Sequence, residues 1–165
     1  VLNANLIAKA VQLAQAHKIP TVVDPKKRNF LAYNKVSLFK PNLKEMREGL
    51  KIDLESGNQE QLLKAIEILK EKLSVGGVMA TLSEHGVYID YKNEKIKIPA
   101  HPREIADVSG AGDTVVSIAA LCVALNLSSK QIANLSNLGG GLVCQHVGVV
   151  PINKKEFLKE ALKQD

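Results

Sequence analysis

The sequence predicts an α/β layered fold with a mainly parallel sheet, an antiparallel hairpin at its edge, and helices on its faces. Strand-like and helix-like segments alternate early in the chain, and helix-like segments close it, which is the order that α/β layers produce. The chain has 165 residues, of which 45% are hydrophobic, and this is enough to bury one substantial core. We therefore expect one globular unit without internal repeats or linkers.

The early part of the chain contains a helix, two short strands and two further helices. Apolar residues recur at helical spacing over residues 6–14, and residues 20–24 follow as a short buried strand. A second apolar run, residues 36–39, leads into a helix start at residues 41–45. The apolar spacing over residues 62–73 predicts an amphipathic helix of about four turns.

The later part of the chain is predicted as three strands followed by three helices. The strands cover residues 77–82, 87–91 and 95–98, and the last two form a hairpin. The helices cover residues 112–125, 129–146 and 153–163, the last of them beginning at an Asn cap.

The composition narrows the classes of function. The net charge of +5 favours a phosphorylated ligand, but three Phe, three Tyr and no Trp disfavour a nucleic-acid surface. No apolar stretch approaches the roughly 20 residues of a membrane span. The first residues lack the features of a secretory signal, so we expect a cytoplasmic protein.

Neither the cysteines nor the histidines form a pattern of metal ligands. Cys122 and Cys144 lie in apolar, helix-like stretches, where free thiols behave as small buried hydrophobes. The histidines are not paired with Cys or carboxylates at metal-ligand spacing. We interpret all four as surface or packing residues: His17, His85, His101 and His146.

The strongest local feature is a loop of small residues that runs straight into an apolar helix, Asp107-Val-Ser-Gly-Ala-Gly-Asp113. Backbone amides in such a loop can converge on an anion, and the helix amino terminus adds its positive dipole. Asp113 is then well placed to take a proton from an attacking hydroxyl. The alternative is that Asp113 and Ser109 cap the helix while the glycines make a tight turn.

Two better-known phosphate loops do not fit this segment. No Lys-Ser or Lys-Thr follows a glycine loop, as a P-loop requires, and Val115 occupies the position of the third Gly of a dinucleotide fingerprint.

The segment at residues 107–113 resembles the carboxy-terminal signature of the ribokinase-like (PfkB-type) carbohydrate kinases. The resemblance implies a three-layer α/β/α fold with ATP and Mg²⁺ as cofactors. It also implies that Asp113 deprotonates the acceptor hydroxyl, while the amides of Gly110, Ala111 and Gly112 stabilise charge on the transferred phosphoryl group. The likeness covers residues 1–165 as the carboxy-terminal, nucleotide-binding part of one kinase domain whose amino-terminal half is absent.

Asn42 and Glu45 resemble the Asn-x-x-Glu motif of this family. In the family this motif organises Mg²⁺ and phosphate through water, so no direct metal ligand is implied. Asn followed three residues later by Glu is also a capping box. We expect both roles.

A second family motif resembles the turn between two predicted strands. Thr81, Ser83, Glu84 and Gly86 occupy the place of the Thr-x-Gly-x-x-Gly turn, which flanks the nucleotide. Ser83 stands where Gly is usual, and a plain hairpin turn is an equal alternative.

Two further segments have both a binding and a structural interpretation. Asn137, with Gly140 and Gly141, resembles the stretch that lies against adenine, although the glycines also suit close helix packing. Lys26 follows a strand at its carboxyl edge, where α/β sheets place ligands. It is therefore expected to reach a phosphate, with a solvated loop as the alternative.

Within the family, residues 24–26, 81–84 and 103–113 look most like the heptose 7-phosphate kinase branch. That branch makes heptose 1,7-bisphosphate on the way to ADP-heptose for lipopolysaccharide. A nucleoside or vitamin kinase and a non-catalytic nucleotide-binding module remain the alternatives. Because the acceptor site of the family lies mostly in the amino-terminal half, we expect the fragment alone to be inactive. Its expected partners are the missing half or a second copy, with neither membrane nor nucleic acid.

Overall fold

A five-stranded sheet organises the chain in the computed structural model, which describes residues 2–163. The strands are β1 (Val22–Val23), β2 (Leu38–Phe39), β3 (Gly77–Thr81), β4 (Val87–Tyr91) and β5 (Glu94–Ile98). The helices are α1 (Ala4–Ala16), α2 (Leu43–Leu50), α3 (Gln59–Leu73), α4 (Ala111–Ala124), α5 (Ser129–Val143) and α6 (Lys154–Ala161), with 3₁₀ segments at Lys27–Ala32 and Ser83–His85.

The strands pair in their order along the chain, from β1 to β5. β1, β2 and β3 run parallel, while β4 and β5 extend the sheet as an antiparallel hairpin. An isolated parallel bridge between Asn42 and Thr81 continues the sheet just beyond β2 and β3. This bridge brings the start of α2 beside the end of β3.

Alternating side chains on the central strands divide the core into two layers. Phe39, Val78 and Tyr88 pack with apolar residues of α1, α2 and α3 on one face of the sheet. Leu38 and Met79 point to the other face, where residues of α4 and α5 cover them. Because successive strand residues face opposite sides, this burial on both faces gives the predicted three-layer α/β/α arrangement.

Most helices begin at a polar cap that the sequence supplies. The side chains of Asn3, Asn58, Ser128 and Asn153 accept hydrogen bonds from backbone amides in the first turn of α1, α3, α5 and α6. These side chains satisfy donors that a helix start otherwise leaves without partners. The apolar periodicity and these caps together explain why the predicted helices are found.

The predicted order of elements is confirmed, and the differences are small. β1 and β2 are only two residues long, because the residues around them form single hydrogen bonds and turns rather than a continuous ladder. Cys122 is buried, whereas Cys144 is only half-buried. Among residues 2–163, no helix has both the length and the apolar character needed to cross a membrane.

Candidate active site

The loop predicted to bind an anion leads into α4 without a side-chain cap. Gly110 is the N-cap residue and has a φ of 80°, in the left-handed region that favours glycine. No side chain accepts a hydrogen bond from the first turn, and the hydroxyl of Ser109 instead donates to Asp107 Oδ1 at 2.8 Å. The alternative in which Ser109 and Asp113 cap this helix is therefore wrong.

The missing cap leaves amide donors at the start of α4. The amide of Thr114 donates to Gly110 O at 3.0 Å, and that of Ala111 makes a longer bond of 3.3 Å to Val108 O. Within the described residues, the amides of Gly112 and Asp113 have no backbone acceptor. A helix start with donors of this kind is a site for an anion.

Asp107 fixes the shape of this loop. Its Oδ1 accepts from the amide of Ser109 at 3.0 Å, and its Oδ2 accepts from the amide of Gly148 at 2.9 Å. These hydrogen bonds, the one from the Ser109 amide first among them, hold the pKa of the Asp107 carboxyl below its usual value. The charged carboxylate thereby ties the loop to the segment that follows α5.

Asp113 lies in the first turn of α4 with its side chain exposed. Within residues 2–163, its carboxylate makes no hydrogen bond or ion pair. Its charge is one of the causes that raise the pKa of Lys26, after the larger effect of the hydrogen bond to Asp24. The carboxylate is thus available to accept a proton or a hydrogen bond.

Lys40 is a buried lysine that the sequence analysis missed. Its side chain is only 2% exposed, and its Nζ lies 2.7 Å from Asp24 Oδ1. A Cβ placed on Gly112 would lie 3.8 Å from this ammonium, so the charge sits beside the first turn of α4. A lysine directly after a buried strand and before Pro41 is the signal that could have revealed it.

Asn42 and Glu45 form the expected capping box at the start of α2. Asn42 Oδ1 accepts from the amide of Glu45, and Glu45 Oε2 accepts from the amide of Asn42, both at 2.8 Å. The second carboxylate oxygen, Oε1, lies 3.7 Å from the Nζ of Lys26. Lys26 also donates to Asp24 Oδ2 while its side chain stays 71% exposed, so its contact with a phosphate remains a prediction.

The turn between β3 and β4 contains two residues with a positive φ. Gly86 has a φ of 83°, and a Cβ there would come within 2.0 Å of Ile98 O, so glycine is required. Ser83, where the family usually has Gly, has a φ of 51°, in the left-handed region that favours glycine. Glu84 accepts a hydrogen bond from the hydroxyl of Ser56 at 3.2 Å.

The glycines of α5 serve mainly in packing. Cβ atoms on Gly139 and Gly140 would meet Ile118 and Val115 of α4 at 2.1 and 2.7 Å, so these glycines allow α4 and α5 to approach closely. A Cβ on Gly141 would meet its neighbours at 3.6 Å or more. Asn137 uses its side-chain amide to donate to Pro99 O at 2.8 Å.

One open groove of about 810 Å³ lies at the carboxyl edge of the parallel strands. The groove brings together every residue that the sequence analysis selected: Lys26, Asn42, Glu45, Thr81, Ser83, Glu84, Gly86, Gly110, Ala111, Gly112, Asp113, Asn137, Gly140 and Gly141. Their roles in binding remain predictions, but their convergence is a property of the fold.

The groove contains exposed apolar residues that the sequence analysis did not anticipate. Ile105 and Val108 line it with 66% and 68% of their surface exposed, which gives a flat ring a place to stack. His101 lies in the same wall, where burial first and the charge of Arg103 second lower its pKa. His101 is therefore a groove residue rather than a simple surface residue.

The fold and the groove together define an α/β protein with an uncapped helix start, an exposed carboxylate and a buried ammonium at the carboxyl edge of its sheet. A sequence profile described as pfkB family carbohydrate kinase matches residues 1–156. The chain belongs to the pfkB family of carbohydrate kinases.

Curated relatives agree with this assignment. The bifunctional protein HldE of Syntrophotalea carbinolica is 34% identical over 163 residues, which are 98% of this chain and 33% of that protein. HldE of Campylobacter jejuni strain RM1221 is 36% identical over 158 residues, 95% of this chain and 33% of its own length. The chain spans about a third of the length of these relatives.

Solved structures share the fold at low sequence identity. Phosphofructokinase-2 from Escherichia coli, in complex with potassium, gives a TM-score of 0.86 at 19% identity over 98% of this chain and 53% of that chain. Ribokinase from Arabidopsis thaliana, complexed with ribose and ATP, gives a TM-score of 0.82 at 18% identity over 99% of this chain and 54% of that chain. The predicted ribokinase-like fold is confirmed.

Proposed function

We propose that this chain carries the nucleotide site and the catalytic base of an ATP-dependent kinase that phosphorylates a sugar-phosphate hydroxyl. The observation that carries the proposal is the uncapped start of α4, whose first turn carries the exposed carboxylate of Asp113 and lies beside the ammonium of Lys40. An anion site beside a base and a fixed cation is what phosphoryl transfer requires.

The start of α4 would stabilise the charge on the transferred γ-phosphoryl group. The amides of Gly112 and Asp113 lack protein acceptors in the described chain, and the helix dipole adds positive potential at the same point. Lys40 uses one donor on Asp24, and an ammonium has three. Its remaining donors are available to phosphate oxygens.

Asp113 would act as the general base. The acceptor hydroxyl oxygen forms the new bond to the γ-phosphorus, the bond from that phosphorus to the bridging oxygen breaks, and the hydroxyl proton passes to Asp113. ADP leaves as the other product. The carboxylate suits this role because it has no partner within residues 2–163 and lies on the first turn of α4, next to the amide donors.

The donor set fits Mg²⁺ held mainly by nucleotide phosphates and water. Among the described residues, no group of three or more His, Cys, Asp or Glu side chains is placed to hold a metal ion. Glu45 keeps one carboxylate oxygen outside the capping box, and it would bind a water of the hydrated ion. When bound, Mg²⁺ would neutralise phosphate charge. The residues of the chain itself would position the phosphates and accept the proton of the acceptor hydroxyl.

ATP would lie along the groove with its base at the apolar end. Ile105 and Val108 offer exposed apolar surface there, and Gly141 leaves room beside Arg103. The phosphates would then extend past Thr81 and Asn42, which are joined by a backbone bridge, towards the start of α4.

The acceptor that we propose is heptose 7-phosphate, giving heptose 1,7-bisphosphate. Support comes from the resemblance of residues 24–26, 81–84 and 103–113 to the heptose 7-phosphate kinase branch, and from the matches to HldE proteins. The acceptor site itself is expected in sequence that this chain does not contain.

The test is a substrate panel with the complete native polypeptide. The panel is heptose 7-phosphate, fructose 6-phosphate, ribose and adenosine, each with Mg²⁺ and ATP, and the measurement is ADP release. We expect the highest kcat/KM with heptose 7-phosphate. Preference for adenosine would replace the proposal with a nucleoside kinase, and nucleotide binding without turnover of any acceptor would indicate a non-catalytic module.

A further inference from the structure

Arg103 lines the groove, but its guanidinium bonds to residues that lie outside it. Its Nη1 donates to Gln145 Oε1 at 3.0 Å, and its Nη2 donates to Glu160 Oε2 at 3.4 Å. Among the described residues that line the groove, neither Gln145 nor Glu160 is found. The side chain is 17% exposed, and its Nε is buried without a hydrogen-bond partner in the described chain. The head group is therefore not free to turn towards a ligand in the groove.

The stem of the same side chain packs against the groove. A Cβ placed on Gly141 would lie 3.6 Å from Arg103 Cδ and 3.7 Å from its Nε, and Gly141 is itself a groove residue. Long charged side chains commonly pack through their stem while the head group bonds elsewhere. Arg103 thus contributes its stem to the wall of the groove.

The segment that carries Arg103 has no regular structure to hold its shape. Residues 99–108 form neither helix nor strand. A backbone hydrogen bond fixes its later part, where the amide of Ala106 donates to Cys144 O at 2.9 Å. The side chain of Arg103 adds a tether three residues earlier, close to the exposed Ile105. Such a tether limits how far the segment can move.

This tether reaches α6 through Glu160. Glu160 Oε1 pairs with Lys163 at 2.6 Å, which leaves Oε2 for Arg103. The helix α6 packs against α5, although none of its described residues is fully buried. Glu160 also lies outside residues 1–156, which the family profile matches. The contact between α6 and the wall is therefore not part of the matched profile.

We propose that Arg103 is a positioning residue, which together with Glu160 braces the wall that carries Ile105 and does not bind phosphate. The inference rests on the proposed function, which places the base of ATP against this wall. A partly exposed ion pair changes a measured equilibrium by about two- to fivefold, so the loss of Glu160 should have an effect of that size. Loss of the guanidinium removes both hydrogen bonds, and we expect an effect of about tenfold.

The test uses variants of the complete native polypeptide, titrated calorimetrically with Mg²⁺-ATP, adenosine and inorganic tripolyphosphate. Arg103→Met removes the head group and keeps an apolar stem. Glu160→Met removes the acceptor, whereas Glu160→Gln keeps a neutral one. Lys163→Met is the matched control, because Lys163 pairs with the other oxygen of Glu160. Hydrogen exchange of the Ala106 amide, measured without ligand, reports on the wall itself.

Arg103→Met should weaken the binding of ATP and adenosine by the same factor, about tenfold, and leave tripolyphosphate binding unchanged. It should raise the KM for ATP with little change in kcat, and it should speed exchange at Ala106. Glu160→Met should show the same pattern at about two- to fivefold. Glu160→Gln should recover most of the affinity, and Lys163→Met should behave like the native protein.

Other results contradict the inference. Weaker binding of ATP and tripolyphosphate with native adenosine affinity would make Arg103 a phosphate ligand. Native affinity and exchange in Glu160→Met would show that α6 does not brace the wall, and a lower thermal midpoint with unchanged affinity and exchange would leave Arg103 a purely structural role. If the unmodified protein binds no nucleotide while exchange still responds in both variants, the proposed function fails and the brace remains, so the two failures are distinguished.

Discussion

Lys40→Met tests whether the buried ammonium beside α4 takes part in phosphoryl transfer. Methionine has a similar length and suits the buried position, which is 2% exposed in the native chain. The substitution removes a charge that lies 3.8 Å from where a Cβ on Gly112 would stand. Loss of one fixed donor to a developing charge typically lowers kcat about 10² to 10³-fold, and we expect a loss in that range.

The same substitution also carries a cost in stability. Removing one partner of a buried ion pair usually costs about 3–5 kcal/mol, because the other charge is left uncompensated. Here Asp24 retains Lys26 on its second oxygen and is 14% exposed. We therefore expect a loss in the free energy of unfolding below that range, roughly 1–3 kcal/mol.

Lys70→Met is the control, since Lys70, which is itself 36% exposed, also pairs with a carboxylate, 2.6 Å from Oδ1 of the buried Asp90. It lies outside the groove, so this variant should lose stability while keeping kcat. The assay is ADP release under saturating substrates, with circular dichroism melts of each protein. If Lys40→Met is folded and keeps kcat within about twofold, or if both variants lose kcat equally, Lys40 has no role in the transition state.

Three further outcomes follow from the site. Asp113→Asn should lower kcat by about 10²–10⁴-fold with nearly unchanged nucleotide affinity; near-normal turnover would show that Asp113 is not the base. Gly110→Ala should lower both the thermal midpoint and nucleotide affinity, because a φ of 80° strains alanine and its Cβ would lie 3.0 Å from Val149. Asp107 has a lowered pKa, so its contribution to stability is present above its usual value of 3.8 and is lost as the pH falls through the folded pKa. Melts of Asp107→Asn and the native protein should differ at pH 7, and the difference should shrink as the pH falls through the folded pKa.

The fold could be predicted because its signals are local. The helical periodicity of residues 62–73 and the caps at Asn58 and Asn153 act within one or two turns of chain. The hairpin of β4 and β5 has its turn next to both strands. In contrast, the extents of β1 and β2 depend on the partners they meet across the sheet, and their two-residue length could not be read from an apolar run.

The conformation of the loop at residues 107–113 was predictable for a different reason, since it depends on small residues within the loop rather than on a distant side chain. Small residues at 110–112 permit the sharp entry into α4, and a φ of 80° at Gly110 is the conformation that glycine allows. What the sequence left open was whether Ser109 capped the helix. Ser109 does not cap the helix because its hydroxyl and its amide both donate hydrogen bonds to Asp107 Oδ1.

The burial of Lys40 beside α4 could not be predicted from local sequence patterns. In sequence it stands 16 residues from Asp24 and more than 70 from Gly112, and nothing in those intervals links the three positions. Parallel pairing of β1 and β2 places Val23 beside Phe39, so the residues that follow each strand, Asp24 and Lys40, emerge side by side. The α4 helix then packs against β1 and brings its amino terminus over the pair. Lys40 directly follows a strand in the sequence, and it is a buried cation only because three separate segments end at one edge of the sheet. The groove at that edge therefore contains charged groups that no single sequence motif contains.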